Sequence, residues 1–346
     1  MDPQERTDHM EEEKIWDVVI IGAGPAGLAA ALYAARAMRS VLVLESQLLP
    51  GGQIQTTGDV EDYPGIIHTT GPELSIMMQT HAEHFGAKVE FGQEVVSVDF
   101  EPAVKSVNTK SVYGEEHTFK SRTVIVATGA APRTLGIPGE AELRGRGVSY
   151  CAVCDGPFFR DRHVAVVGGG DAAFDEGLYL TKYASKVTII HRRDSFRAQK
   201  LLVDRATKNP KIEFMLNSVV EEITGDATLE SVKIQNVVTG ATQTLEFGGV
   251  FVYIGSDPNT GIFERCITVD RMGFIDTDDN MATECDGVFV AGDVRRSPLK
   301  QVITAGADGS IAALTADKYL DLLDEGDTPD EAEAIATSKL TWKTEY

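Results

Sequence analysis

Cys151 and Cys154 are the residues whose type and spacing say most about this chain, because two thiols separated only by Ala152 and Val153 can close into one reducible disulfide. Asp155 follows directly, and a carboxylic acid beside a dithiol is placed to shuttle the proton that thiol–disulfide exchange requires. One glycine-rich signature, Ile20-Ile21-Gly22-Ala23-Gly24-Pro25-Ala26-Gly27, precedes the pair, and a second, Val166-Val167-Gly168-Gly169-Gly170-Asp171-Ala172-Ala173, follows it. A dithiol set between two such signatures reads as the end of an electron path running from a nicotinamide through a flavin. Its rivals are a zinc site and two inert buried thiols. Zinc would call for a second cysteine pair or a histidine cluster; Cys266 and Cys285 are not spaced as one, so no metal is expected. Those two cysteines read as small buried hydrophobes, and His81 and His84 as surface residues of a helix.

Gly22, Gly24 and Gly27 have the spacing that turns a strand tightly, brings backbone N–H groups to a pyrophosphate and packs a helix close to its sheet. Glu45 ends the next strand, where an acid accepts hydrogen bonds from the adenosine ribose and repels a 2′-phosphate, favouring FAD or NAD over NADP. The second signature uses Gly168, Gly170 and Ala173, and its next strand ends in His191-Arg192-Arg193-Asp194-Ser195-Phe196-Arg197 instead of an acid. Planar guanidinium forks suit the 2′-phosphate of NADPH; the plainer reading is a solvated basic patch. Late in the chain, Val288-Phe289-Val290-Ala291-Gly292-Asp293 reads as a buried strand entering a Gly-Asp turn, with a helix from about Gln301. Asp293 could bind ribityl or pyrophosphate groups, and the helix start could face the isoalloxazine carbonyls.

Positioning these residues requires short parallel strands. β-Branched runs at Val18 to Ile21, Val41 to Leu44, Val124 to Val126, Val164 to Val167, Val187 to Ile190, Val250 to Tyr253 and Val288 to Val290 end in glycine or polar turns and alternate with helical segments. The expected fold is therefore α/β, with two Rossmann-like, three-layer dinucleotide-binding domains. Turn-rich segments at Gly129 to Pro132 and Gly255 to Asn259 bracket the second signature. The nicotinamide domain, 132–258, is expected as an insertion into a flavin domain made of 1–131 and 259–346. The run from Val18 to Ala35 lacks any charge over 18 residues, near a membrane span, but its three glycines and Pro25 read as a strand turning into a helix. Residues 321–336 read as an acidic, surface-helix-like tail.

Asp plus Glu number 53 against 32 Lys plus Arg, a net charge of −21, which argues against nucleic acid or an anionic membrane as partner and suits a very salty cytosol. Four cysteines do not make a secreted disulfide framework, and the acidic segment from Met1 to Lys14 lacks the basic start and apolar core of a signal peptide. The segment reads as a loose tail and the compartment as the reducing cytoplasm.

With these residues in hand, the chain resembles the bacterial and archaeal low-molecular-weight thioredoxin reductase family over nearly its whole length. The resemblance is carried by the two signatures together with Gly51-Gly52-Gln53, Val60-Glu61-Asp62-Tyr63-Pro64-Gly65, Ala127-Thr128-Gly129, Cys151-Ala152-Val153-Cys154-Asp155-Gly156, His191-Arg192-Arg193-Asp194, Phe196-Arg197-Ala198 and Gly292-Asp293-Val294. It implies a homodimeric enzyme that carries electrons from NADPH through FAD and the Cys151–Cys154 disulfide to thioredoxin. Cys154 would be the thiol facing the flavin, Cys151 the thiol attacking the external disulfide, and Asp155 the acid/base. FAD would be held by Gly22, Gly24, Pro25, Ala26, Gly27, Glu45, Gly52, Gln53, Asp62, Ala127, Gly129, Gly292, Asp293, Lys300, Gln301 and Val302. NADPH would be held by Gly168, Gly170, Asp171, Ala172, His191, Arg192, Arg193 and Arg197.

The chain departs from the family's pattern in several places. Asp62 stands for an asparagine, Lys300 for an arginine, and Ala172 lacks a hydroxyl that could reach the pyrophosphate. Phe174 is bulky, and Gly177 costs its helix about 1 kcal/mol relative to alanine. Rival functions are a flavin dithiol oxidase passing electrons to oxygen, which has no use for the His191-Arg192-Arg193 segment, and a flavin-bound redox sensor with negligible turnover. A dithiol held against the flavin cannot also reach another protein, so the inserted domain is expected to rotate between two arrangements about its two hinges.

Overall fold

Val18 to Ile21 are buried on both faces, the environment a central parallel strand needs. In the computed structural model, which describes residues 14–101 and 103–338, they belong to the strand Ile15–Ile21. The stretch before Lys14, expected as a tail, lies outside the described residues. The chain divides into two units: one takes the chain up to Gln55, Thr69–Ala130 and the chain from Pro258, the other Thr56–His68 and Ala131–Asp257.

In the first unit Val18 lies opposite Val41 of Val41–Glu45 on one side and Thr123 of Glu116–Val126 on the other, both parallel. Lys88–Phe91 and Val288–Val290 complete the parallel part of the sheet, and an antiparallel ladder of Gln93–Asp99 and Lys105–Ser111 hangs on the long Glu116–Val126 strand. The helices Pro25–Arg36 and Val302–Glu325 are lined where they meet by buried Ala30, Ala31 and Ala34 and by Ala312, Ala313 and Ala316. Gly309 makes that approach possible, since a methyl group there would overlap the Ala26 carbonyl. On the sheet's other face Phe100, Phe263, Ile267 and Ile275 form a second core. The uncharged run is thus a strand, a turn and a helix, and no helix among the described residues is long and apolar enough to cross a membrane.

The second unit repeats the plan. Val148–Ser149, Gly249–Tyr253, His163–Gly168, Lys186–Ile190 and Ile212–Met215 form five parallel strands in that order, with Val164 between Val187 and Gly249. The helices Asp171–Leu180 and Lys200–Lys208 cover one face, and the antiparallel sheet Ser218–Thr224, Ser231–Asn236, Thr242–Glu246 covers the other with Val220, Ile223, Val232 and Ile234. The α/β architecture with Rossmann-type units is as the sequence led one to expect. Phe174 is fully buried, edge-on to Phe196 at 4.8 Å and stacked on Phe214 at 6.0 Å, so its bulk fills the core and leaves the glycine loop clear.

Two expectations need correction or sharpening. The acidic tail is the end of one long helix and most of another, Pro329–Ser338, broken at Gly326 where φ is +103°. Ala332 and Ala336, four residues apart on one face, are fully buried, while Asp330 and Glu331 are exposed. Cys266 and Cys285 are half-buried and adjacent, the Cys285 thiol donating to the Cys266 carbonyl at 2.8 Å, and burial pushes both thiols up.

The connections Ala130–Pro132 and Ser256–Pro258 run as a two-stranded ladder. On the side of the first unit, Asn259 donates its N–H to the Gly129 carbonyl at 3.0 Å and its side-chain amide to the Thr128 carbonyl at 2.7 Å. On the side of the second, the Arg133 N–H reaches the Gly255 carbonyl at 3.0 Å and its guanidinium donates to Asp257 at 2.7 Å.

Candidate active site

The first glycine loop assigns each glycine a different physical role. Gly22 has φ +108°, and a Cβ there would lie 2.5 Å from the Ala127 carbonyl oxygen; one on Gly27 would overlap the Gly22 carbonyl. Gly24, the N-cap of the helix, would meet nothing within 4 Å. Two glycines therefore serve packing within the protein, while at the third the backbone borders open space that a pyrophosphate can enter. Pro25 sits where the helix needs no N–H, and Ala26 is buried beside it. Glu45 is buried, one carboxylate oxygen accepting from Ala23 N–H at 2.7 Å and the other from Gln47 N–H at 2.9 Å, so it braces the loop with lone pairs left for a ribose.

Gly292, at φ +79°, brings the Gly-Asp turn against the same loop: a Cβ on it would lie 2.8 Å from that of Ala26. The Asp293 carboxyl accepts no hydrogen bond from the described residues, and burial pushes its pKa up despite nearby Lys300. Lys300 donates to the Asp293 carbonyl at 2.5 Å, and Gln301 caps the helix that begins at Val302. Sequence reasoning missed Arg295 and Asp308. They pair at 3.1 Å, and Asp308 also accepts the Gly292 N–H at 3.2 Å, fixing the turn from a position with no motif to announce it. Gly52 and Gly129 take positive φ near this loop's strands, whereas Asp62 is exposed in the segment grouped with the second unit. An open Gly24 and an unengaged Asp293 carboxyl fit FAD.

In the second loop a Cβ on Gly168 would overlap the Tyr253 carbonyl and come within 2.7 Å of the Ala173 methyl, while Gly170 again borders open space. Gly169 lies on the His191 ring, whose Nε2 meets the Ser195 carbonyl at 3.1 Å; burial pushes this imidazole's pKa down, making it a neutral brace. Asp171 is engaged by the Gln199 N–H at 2.8 Å and its side-chain amide at 3.1 Å. Ala172 is exposed at the helix start, and Arg192, Arg193 and Arg197 are exposed on a loop tied back by Arg197 N–H to the Gly169 carbonyl at 2.9 Å. A loop open at Gly170 and three free-standing guanidiniums fit NADPH.

Cys151 and Cys154 are joined, with Cα atoms 5.3 Å apart. The Cys154 N–H points at the Cys151 sulfur at 3.1 Å, and Cys151 N–H donates to Ser149 Oγ at 3.1 Å. Ser149 donates in turn to the Asp155 carboxylate at 2.6 Å. Burial pushes the Asp155 pKa up, aided by Asp62 and Asp59 and opposed by Ser149, so this carboxyl holds a proton more readily than an exposed one. Ala152 N–H donates to the Tyr253 hydroxyl at 2.5 Å. Nothing in the sequence singled out Tyr253, because only the strand order brings the end of Gly249–Tyr253 beside the cysteines.

The sequence model for pyridine nucleotide-disulphide oxidoreductases matches residues 16–309. The chain is 50% identical over 316 residues to a thioredoxin reductase of Peptoclostridium acidaminophilum, covering 89% of this chain and 98% of that one. Identity to a thioredoxin reductase of Bacillus subtilis is 47% over 317 residues, covering 91% and 98%. Among solved structures, thioredoxin reductase from Streptococcus pyogenes superimposes with a TM-score of 0.84 at 47% identity over 90% of this chain and 99% of its own. Likeness that spans both glycine loops and the dithiol alike places the chain in the pyridine nucleotide-disulphide oxidoreductase family and, within it, among the thioredoxin reductases.

Proposed function

We propose that the chain is an NADPH-dependent thioredoxin-disulfide reductase. The observation that carries this reading is the closed Cys151–Cys154 disulfide, tied through Ser149 to the buried Asp155 and borne by the unit whose glycine loop presents Arg192, Arg193 and Arg197. FAD, when bound, supplies a two-electron relay between the nicotinamide and the disulfide. Two electrons open the sulfur–sulfur bond; one sulfur takes a proton for which Asp155 is the nearby store, and the other remains a thiolate. Cys151 then attacks the disulfide of thioredoxin, a mixed disulfide forms, and the departing thioredoxin sulfur takes up a proton. Attack by Cys154 on Cys151 restores the pair and releases the second thioredoxin thiol. For each turnover one NADPH and one proton are consumed and one thioredoxin disulfide becomes a dithiol.

The three exposed arginines favour this direction over a dithiol oxidase, which needs no nicotinamide phosphate. On this reading the residue roles are those the family's motifs imply, the second unit rotates about its two connections during turnover, and the protein works as a cytoplasmic homodimer. Anaerobic titration of the yellow protein with NADPH, followed by thioredoxin from the same cell, tests cofactor, direction and partner together. Bleaching of the flavin by NADPH and recovery of its colour on adding oxidised thioredoxin is the expected result; a flavin that NADPH leaves oxidised refutes the proposal.

A further inference from the structure

Arg295 and Asp308 face each other where the Gly-Asp turn meets the first glycine loop. One oxygen of Asp308, Oδ2, accepts both the Gly292 N–H at 3.2 Å and a hydrogen bond from Arg295 Nη1 at 3.1 Å, while Arg295 Nε donates to Thr277 Oγ1 at 2.9 Å. Both side chains are largely out of water, 13% and 14% exposed. Lys300, the other cation at this turn, donates instead to the Asp293 and Arg295 carbonyls, at 2.5 and 3.4 Å. Gly309, the residue after Asp308, lies against the Ala26 carbonyl, and Gly292 lies against the Ala26 methyl. A carboxylate is thus held between the two segments proposed to receive the FAD pyrophosphate, the Gly-Asp turn and the loop left open at Gly24.

We propose that Arg295 is a positioning residue for FAD that acts by cancelling the charge of Asp308: Asp308 supplies the acceptor that fixes Gly292, and Arg295 keeps that acceptor from repelling the pyrophosphate. A pyrophosphate diester carries two negative charges. Without the guanidinium, a carboxylate shielded from water would act on that dianion through a medium that screens it far less than solvent does. An asparagine at 308 would offer an amide oxygen that still accepts the Gly292 N–H and carries no charge. The cost of losing Arg295 should therefore vanish once Asp308 is asparagine. A simple brace behaves in the opposite way: each lost hydrogen bond loosens the turn further, and the chain lacking both groups is the worst binder.

The inference rests on the flavin half of the reductase reading and on nothing about thioredoxin. The FAD-loaded full chain, Arg295→Met, Arg295→Lys, Asp308→Asn and the double variant Arg295→Met with Asp308→Asn would be diluted stepwise, and the dissociation constant read from the fluorescence of released FAD. Arg295→Met is expected to raise that constant by roughly tenfold or more. Arg295→Lys, which keeps the charge and gives up the bond to Thr277, should stay close to the unaltered chain, and the double variant should recover most of the loss. A double variant weaker than Arg295→Met would overturn the proposal, as would an equal loss from Arg295→Lys and Arg295→Met. If Arg295→Met does not fold, Asp308→Asn decides: FAD held as tightly as before, or more tightly, supports the proposal, and weaker binding overturns it. A colourless unaltered chain would refute FAD binding itself, whereas a flavin-loaded chain that fails to reduce thioredoxin would refute the reductase reading and leave the charge result standing.

Discussion

Arg192 and Arg193 are exposed and form no ion pair among the described residues, which leaves their guanidiniums available to the phosphate they are proposed to bind. Replacing both with alanine should weaken NADPH far more than NADH, by about 1.5 to 3 kcal/mol or one to two decades per arginine. Binding titrations with the two nicotinamides check this, and equal losses would remove the assignment. The order of the thiols is tested by trapping. Cys154→Ser should leave Cys151 able to hold thioredoxin in a stable mixed disulfide, while Cys151→Ser should abolish trapping yet leave a thiol that perturbs the flavin spectrum; mass spectrometry of the trapped species decides. At this scale the sequence displayed what is contiguous: the dithiol, its acid and the two glycine loops stand in short runs. Hidden were Tyr253, Arg295 and Asp308, whose partners lie 101, 13 and 16 residues away and meet them only through the folded sheet and its turns.

Strands were legible because buried parallel strands must be continuous β-branched runs, and each run named in the sequence lies within one. Helices were harder to read where charge masked an apolar stripe, as in the segment holding Ala332 and Ala336. Two predictions belong to such elements. A Cβ on Gly177 would sit 3.4 Å from Ile189 Cδ1, an ordinary contact, so Gly177→Ala should stabilise the Asp171–Leu180 helix by up to about 1 kcal/mol in urea unfolding. A loss of stability would mean that Ile189 cannot give way. In Pro329–Ser338, burial chiefly, with Asp286 and Asp278, pushes Glu333 up to about 7 from an ordinary 4.5, while one of its oxygens is buried unpartnered. Between those two values the folded chain holds a proton that the unfolded chain has released, so stability falls as pH rises through that window. Glu333→Gln should flatten this decline, and unfolding midpoints at pH 5 and pH 8 would reveal it.

Across the whole molecule the charge of −21 sets two electrostatic effects in opposition. Arg39 gathers Asp317, Asp321 and Asp324, and Arg122 reaches Asp17 and Asp324; salt weakens such partly exposed pairs. Unpaired carboxylates are far more numerous, and their mutual repulsion is screened by the same salt. Repulsion should dominate, so the melting temperature should rise from low salt into molar KCl, where the screening length falls to about 3 Å. A flat or falling curve would show that the ion pairs outweigh the excess charge.

The ladder formed by the two connections also bears on ancestry. Residues 131 and 257 leave and re-enter the host fold side by side, with Arg133 bonded to Gly255 on one side of the junction and Asn259 to Gly129 on the other. Apart from the 56–68 segment, which an earlier stretch of the chain contributes to it, the second unit could therefore have entered an ancestral fold at a single junction. Domains whose ends lie together are the ones that tolerate such grafting. A host repaired by a short linker across that junction and an excised module closed at the same point are the two halves such a history would have joined.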